Sequence, residues 1–342
     1  LAAQSNSIQQ ILVNAWYSNR WWLVLLVPLE WLFSGLAALR RSRLQAQYQG
    51  KPFAVPVVIV GNISVGGSGK TPLIIALVKA LIARGYAVGV VSRGYGGCSE
   101  RYPLEVTTQT GAAECGDEPL LIAQSCQCPV VVGPERTEAI NYLLANHDCD
   151  LVLCDDGLQH YRLHRDVEIA VIDGARGLGN RRCLPAGPLR EPPRRLREVD
   201  FVLVNGSAGR FSEEGFATES IEIVPSVFRH LASGRCIIAS EWSEGIAVHA
   251  VAAIGNPQRL ATTLESLGLT VDLTGINDHQ QLYLADLTFN DNLPVIITAK
   301  DAVKYTDTVA DTLWVLEVEM LVAPVFVDRL IQAAHLTSSE RG

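Results

Sequence analysis

The stretch Val55–Val78 limits the possible folds more than any other part of the chain. An apolar run, Val57–Val60, leads into Gly61-Asn62-Ile63-Ser64-Val65-Gly66-Gly67-Ser68-Gly69-Lys70-Thr71. An apolar-periodic run follows at Leu73, Ile74, Leu77 and Val78. Strand, glycine-rich loop, helix is the context that a phosphate-binding loop requires. Backbone N–H groups in such a turn face a polyphosphate, and the helix N-terminus adds partial positive charge. Residues 64–71 would then cradle a nucleotide, with Lys70 on the β- and γ-phosphates and the Thr71 hydroxyl on Mg²⁺. Pro72 suits the first helical turn, where no N–H partner is needed. The usual spacing has a glycine where Ser64 stands. A variant loop of partitioning and metal-insertion ATPases carries an extra early lysine. Val65 takes that place, which argues against that class.

With 342 residues, 48% of them hydrophobic and 19% charged, the chain can bury two ordinary domains and does not read as disordered. A net charge of −8 argues against a nucleic-acid binder. The eight cysteines include no C-x-x-C pair, so they read as free thiols in a reducing compartment.

Trp21–Leu39 is the most apolar segment, and Arg40, Arg41 and Arg43 follow it. Three readings stay open. A spanning helix would carry Pro28 and Glu30 at its middle, and an acid there costs about 2.5–3.5 kcal/mol. An interfacial helix would set Trp16, Trp21, Trp22 and Trp31 at headgroup depth and the arginines on anionic lipid. An ordinary buried helix is the third.

After the loop, Ala87–Val91 reads as a strand ending in Ser92-Arg93-Gly94-Tyr95-Gly96-Gly97, at the sheet edge where ligands bind. Arg93 there holds a phosphate or sits in a surface turn. Gly116-Asp117-Glu118-Pro119 opens a helix, its acids serving as an N-cap or a site. Leu151–Cys154 is a buried strand ending in Asp155-Asp156-Gly157. That is either the Walker-B arrangement, where an acid meets Mg²⁺, or a capped turn. Two acids at such an edge repel unless a cation joins them. His160 and His164 read as solvated loop side chains. Leu184–Pro192 is too rich in proline and glycine for a helix or central strand and reads as a long, shaped loop. Arg181, Arg182, Arg190, Arg194, Arg195 and Arg197 around it form either a solvated face or an anion-facing surface. Phe201–Val204 closes a strand series, and Ser220–Phe228 alternates like a connecting strand. A second α/β unit follows, with a helix expected over Tyr283–Thr288. The expected fold is α/β: a P-loop NTPase-like, mostly parallel sheet flanked by helices, a second smaller α/β domain, and an N-terminal membrane-associated helix. The expected divisions are residues 1–50, 51–218 and 219–342.

Taken in order, the loop with Gly66-Gly67, the Ser92–Gly97 turn, Gly116-Asp117-Glu118, Asp155-Asp156-Gly157-Leu158-Gln159, Leu184–Pro192, Asp278-His279 and Lys300-Asp301 closely resemble the tetraacyldisaccharide 4′-kinase family. The resemblance runs from Trp16 to Val303 and includes the missing first glycine of the loop. It implies a lipid kinase that moves the ATP γ-phosphate to the 4′-hydroxyl of tetraacyldisaccharide 1-phosphate, forming the lipid A precursor. It implies ATP and Mg²⁺ as cofactors. Asp117 looks like the base on the 4′-hydroxyl, His279 its partner, and Lys70 the cation on the transferring phosphoryl. Thr71, Glu118 and Asp156 look like the Mg²⁺ shell, with Asp155 beside it. Asn62, Arg93, Tyr95 and Arg190 are the implied acceptor-binding residues. Ile276 and Leu282 stand where the family often has aromatics, and Ala299 where it often has Glu. A lipid acceptor also implies a monotopic or peripheral place on the cytoplasmic face of the inner membrane. No nucleic-acid partner and no obligate protein partner are expected.

Overall fold

The computed structural model describes residues 11–47, 52–207, 216–275, 284–305 and 310–336. Asp278 and His279 lie outside the described residues.

A 3-10 turn, Trp21–Leu26, feeds a 21-residue helix, α1 (Val27–Gln47). Because α1 starts at Val27, Pro28 falls in its first turn, where its missing N–H costs nothing. The elements that follow are β1 (Val57–Gly61), α2 (Lys70–Ile82), β2 (Val88–Ser92), β3 (Leu104–Val106), α3 (Ala112–Cys115), α4 (Asp117–Ser125), β4 (Val130–Val132), α5 (Arg136–Asn146), β5 (Leu151–Asp155), β6 (Val167–Asp173) and β7 (Phe201–Asn205). Then come β8 (Glu219–His230), β9 (Cys236–Ile238), β10 (Ala247–Ala252), α6 (Pro257–Ser266), β11 (Thr270–Gly275), β12 (Val295–Thr298), α7 (Ala299–Ala302), β13 (Leu313–Leu321) and α8 (Pro324–Ala333). Of the helix expected over Tyr283–Thr288, the described part is a 3-10 turn, Leu284–Leu287. The polar turn formers Asn290, Asp291 and Asn292 soon follow.

Among the described residues the strands form one sheet in the order β11-β10-β12-β13-β8-β7-β6-β1-β5-β2-β4-β3, with β9 on β8. From β4 to β7 every pairing is parallel, and so is every pairing from β11 to β13. The long β8 joins the halves. Its start pairs parallel with β7 and the rest antiparallel with β13. The expected connector is thus a strand shared by both halves.

Parallel strands covered on both faces need apolar side chains at every position. In β1, Val58 and Val60 share a core cluster with Leu73, Leu77 and Leu81 of α2. Val57 and Ile59 point the other way, in a cluster with Ile140 and Leu143 of α5. Each such side chain contributes about 1.5–3 kcal/mol of burial. The same alternation, which follows from the period of two along a strand, continues through β5 and β6. Because β1, β2, β5, β6 and β7 run parallel, Gly61, Ser92, Asp155, Asp173 and Asn205 end along one sheet edge, where α/β sheets bind ligands.

Candidate active site

The loop between β1 and α2 is braced from three sides. Within it, buried Asn62 donates its amide to the Gly66 carbonyl at 3.2 Å and to Ser68 Oγ at 3.4 Å. From β7, Asn205 Nδ2 donates to the Ser68 carbonyl at 3.1 Å. From the proline-rich loop, the Pro188 carbonyl accepts the Val65 N–H at 2.9 Å, and the Arg190 N–H donates to the Ile63 carbonyl at 2.7 Å. Gly69 caps α2 with φ +96°, and a Cβ there would lie 2.4 Å from Asn205 Nδ2. Gly66 and Gly67 are exposed, so the loop's open side faces solvent. Asn62 is expected to meet the acceptor; in the loop its Nδ2 donates to Gly66 and Ser68, while its Oδ1 has no hydrogen-bond partner among the described residues.

Lys70 Nζ lies 3.4 Å from Asp156 Oδ1, and Arg190 Nη1 3.3 Å from Asp156 Oδ2. Burial pushes the Asp156 carboxyl up, but Lys70 and Arg190 outweigh it and hold it below the ordinary range. Asp155 is buried and accepts from Ser92 Oγ at 3.2 Å. Burial, then the Glu118 carboxylate, pushes Asp155 up to about 7.

Asp117 and Glu118 begin α4 at the same edge. Gly116, just before them, has φ +89°, and a Cβ on it would lie 2.5 Å from the Tyr95 carbonyl. Only glycine lets the Ser92–Gly97 turn pack this closely against the start of α4, and Arg93 and Tyr95 of that turn are exposed. Two lysines from the second half of the chain meet these acids. Lys300 Nζ is 3.0 Å from Glu118 Oε1, and Lys304 Nζ is 3.5 Å from Asp117 Oδ2. Lys304 is also held at 3.3 Å by the fully buried Asp301, which accepts from Thr298 Oγ1 at 2.8 Å and from the Ala253 N–H at 3.2 Å. Spacing alone gave no sign of these two pairs, because they join residues 182 or more positions apart. A cleft of about 1470 Å³ opens between α2, α4 and the second half, lined among others by Pro72, Asp117, Leu121, Lys304 and Met320.

The N-terminal segment packs against this edge. Trp16 Nε1 donates to the Pro185 carbonyl at 3.0 Å, and its ring lies with Val65 and Leu184. Glu30 accepts from Arg182 Nη1 at 3.0 Å and from the Cys183 N–H at 2.9 Å. The acid that is costly inside a bilayer is therefore satisfied by the protein. The opposite face leaves Trp21, Leu25, Trp31, Leu32 and Leu36 exposed, and the helix is long and apolar enough to cross a membrane.

The second basic cluster is not a uniform surface. Arg195 is buried among Glu168, Glu191 and Glu198, Arg182 holds Glu30, and Arg190 holds Asp156. Arg181, Arg194 and Arg197 are exposed. His160 is half-buried rather than solvated. Burial, then Arg136, pushes it down to about 4.

A family model described as LpxK, tetraacyldisaccharide-1-P 4′-kinase, matches residues 22–335. The chain belongs to the tetraacyldisaccharide-1-P 4′-kinase family. It is 50% identical over 321 residues to a tetraacyldisaccharide 4′-kinase of Ectopseudomonas mendocina, covering 93% of this chain and 95% of that one. A tetraacyldisaccharide 4′-kinase of Pseudomonas fluorescens is 48% identical over 318 residues, covering 92% and 93%. In fold the chain matches the crystal structure of the "apo" form of LpxK from Aquifex aeolicus in complex with ATP. The TM-score is 0.73 at 24% identity, covering 91% of this chain and 99% of that one. For the kinase family the geometry has a plain meaning: the loop, the acids of β5 and the acids of α4 share one sheet edge beside the N-terminal helix.

Proposed function

We propose that the chain seats ATP on Ser64–Thr71 and transfers its γ-phosphate to the 4′-hydroxyl of a tetraacyldisaccharide 1-phosphate, the reaction its family membership implies. The observation that carries this reading is Lys70, which opens α2 directly behind left-handed Gly69 and stands 3.4 Å from Asp156. A lysine so placed offsets charge that builds on the transferring phosphoryl group, in a site that needs little reorganisation. Asp117 takes the proton from the 4′-hydroxyl, and Lys304 holds one of its oxygens while the acceptor approaches. His279 would pair with Asp117 and orient it. Arg93 and Tyr95, exposed on the turn that packs against Gly116, would meet the acceptor.

Among the described residues no group of three or more His, Cys, Asp or Glu side chains is placed to hold a metal ion, so a Mg²⁺ here would also take oxygens of the nucleotide. Asp155 Oδ1 is buried without a hydrogen-bond partner among the described residues, and burial with Glu118 already disfavours its charge. Thr71, Glu118 and Asp156 would hold Mg²⁺, with Asp155 behind them. When bound, the ion supplies positive charge to the β- and γ-phosphates.

The exposed face of α1 reads as an interfacial anchor on the cytoplasmic face of the inner membrane, where ATP is available. Glu30, already bonded to Arg182 and Cys183, favours this over a spanning helix. The chain then divides into an anchor over residues 1–50, a kinase core over 51–218 and a smaller unit over 219–342. Asp117→Ala tests the base assignment. The transfer rate should fall about 10²–10⁴-fold, while the ATP dissociation constant stays within about twofold. Equal losses in both would overturn it.

A further inference from the structure

Arg176 follows β6 in the loop Asp173–Asn180 and has no part in the roles assigned above. Its Nη1 lies 3.2 Å from where a Cβ on Gly66 would stand, directly over the exposed part of the phosphate loop. The guanidinium is fixed from two other directions. Nη2 donates to the Gly255 carbonyl at 3.0 Å, and the group sits over the Tyr17 ring at 5.4 Å. The Arg176 backbone N–H also donates to Asp173 Oδ1 at 3.4 Å. Lys70 and Arg190 share Asp156, whereas Arg176 forms no ion pair with a carboxylate among the described residues. It is nonetheless half-buried. A cation taken partly out of water without an anion is unfavourable until an anion arrives. A planar guanidinium held by its neighbours suits phosphate oxygens better than a mobile ammonium does.

We propose that Arg176 is a phosphate-binding residue of this site, its Nη1 edge donating to the β- or γ-phosphate of a nucleotide lying on Gly66 and Gly67. This rests on the ATP-dependent reading above. The two contacts that hold the guanidinium come from the N-terminal segment and the second half of the chain. It is therefore aimed over the loop only when both are in place.

The test compares ATP and AMP binding by calorimetry on the full chain, for the natural protein, Arg176→Gln and Arg176→Lys. A charge-assisted contact to the outer phosphates predicts that Arg176→Gln weakens ATP about 10- to 100-fold. AMP should change by less than about twofold, and Arg176→Lys should lose less than Arg176→Gln. ATP binding unchanged in both variants would overturn the proposal. So would equal weakening of ATP and AMP with a lowered unfolding midpoint, the mark of a merely structural arginine. If the natural protein itself binds no ATP, the kinase reading fails first and takes this inference with it.

Discussion

Replacing Asp155 with Asn removes a charge that the fold holds at a cost. The carboxyl is buried, and burial with Glu118 raises it from 3.8 to about 7. About three units at 1.36 kcal/mol each is on the order of 4 kcal/mol. The folded chain keeps a proton that the unfolded chain releases near pH 4. Asp155 therefore lowers stability as pH rises from about 4 to 7, and the full penalty stands above pH 7. His160 works in the opposite direction. Its pKa falls from 6.5 to about 4, so the unfolded chain binds the extra proton between those values and stability rises with pH. The two slopes oppose each other in the natural protein, and the difference between it and Asp155→Asn isolates the carboxylate. Asn keeps an acceptor for Ser92 Oγ at nearly the same shape. Urea unfolding at pH 4 to 8, without nucleotide or magnesium, reads the effect. The variant should gain up to about 4 kcal/mol at pH 8, with the gain vanishing near pH 4. A gain independent of pH, or a loss at pH 8, would refute the reasoning.

Two further outcomes follow from the loop and from α1. Gly69→Ala places a Cβ in left-handed backbone, at a cost of about 1–2 kcal/mol, and 2.4 Å from Asn205 Nδ2. ATP affinity should fall at least about tenfold while the fold survives, and normal ATP binding would contradict this. Removing residues 1–47 should release the protein from anionic vesicles in a sedimentation assay while ATP binding survives. That binding should be weakened by the loss of Trp16 and Tyr17 from beside Val65 and Arg176. A truncated chain that still pelleted with vesicles would sink the anchor assignment.

Local patterns explain what was legible in the sequence. Strand, glycine loop and helix around Lys70, and the apolar strand ending at Asp155 and Asp156, are signals within 20 residues or so of chain, and the structure builds both as expected. Long-range contacts were not legible. Lys300 and Lys304 reach Glu118 and Asp117 only because β8 and β13 carry the second half over α2 and α4. Glu30 looks like a defect in an apolar run until Arg182 and the Cys183 N–H are seen to hold it. Arg195 reads as one member of a surface cluster, yet it is 2% exposed at the centre of three carboxylates. A charge count along the chain cannot separate a buried, paired arginine from a solvated one.

The most direct test gives the full chain γ-labelled ATP and a tetraacyldisaccharide 1-phosphate in mixed micelles, and follows the label. Transfer to the 4′-position of the lipid, abolished by Lys70→Ala, is the predicted result. Label released only as inorganic phosphate, at a rate that the lipid does not change, would contradict a triphosphate on residues 64–71 aimed at a sugar hydroxyl.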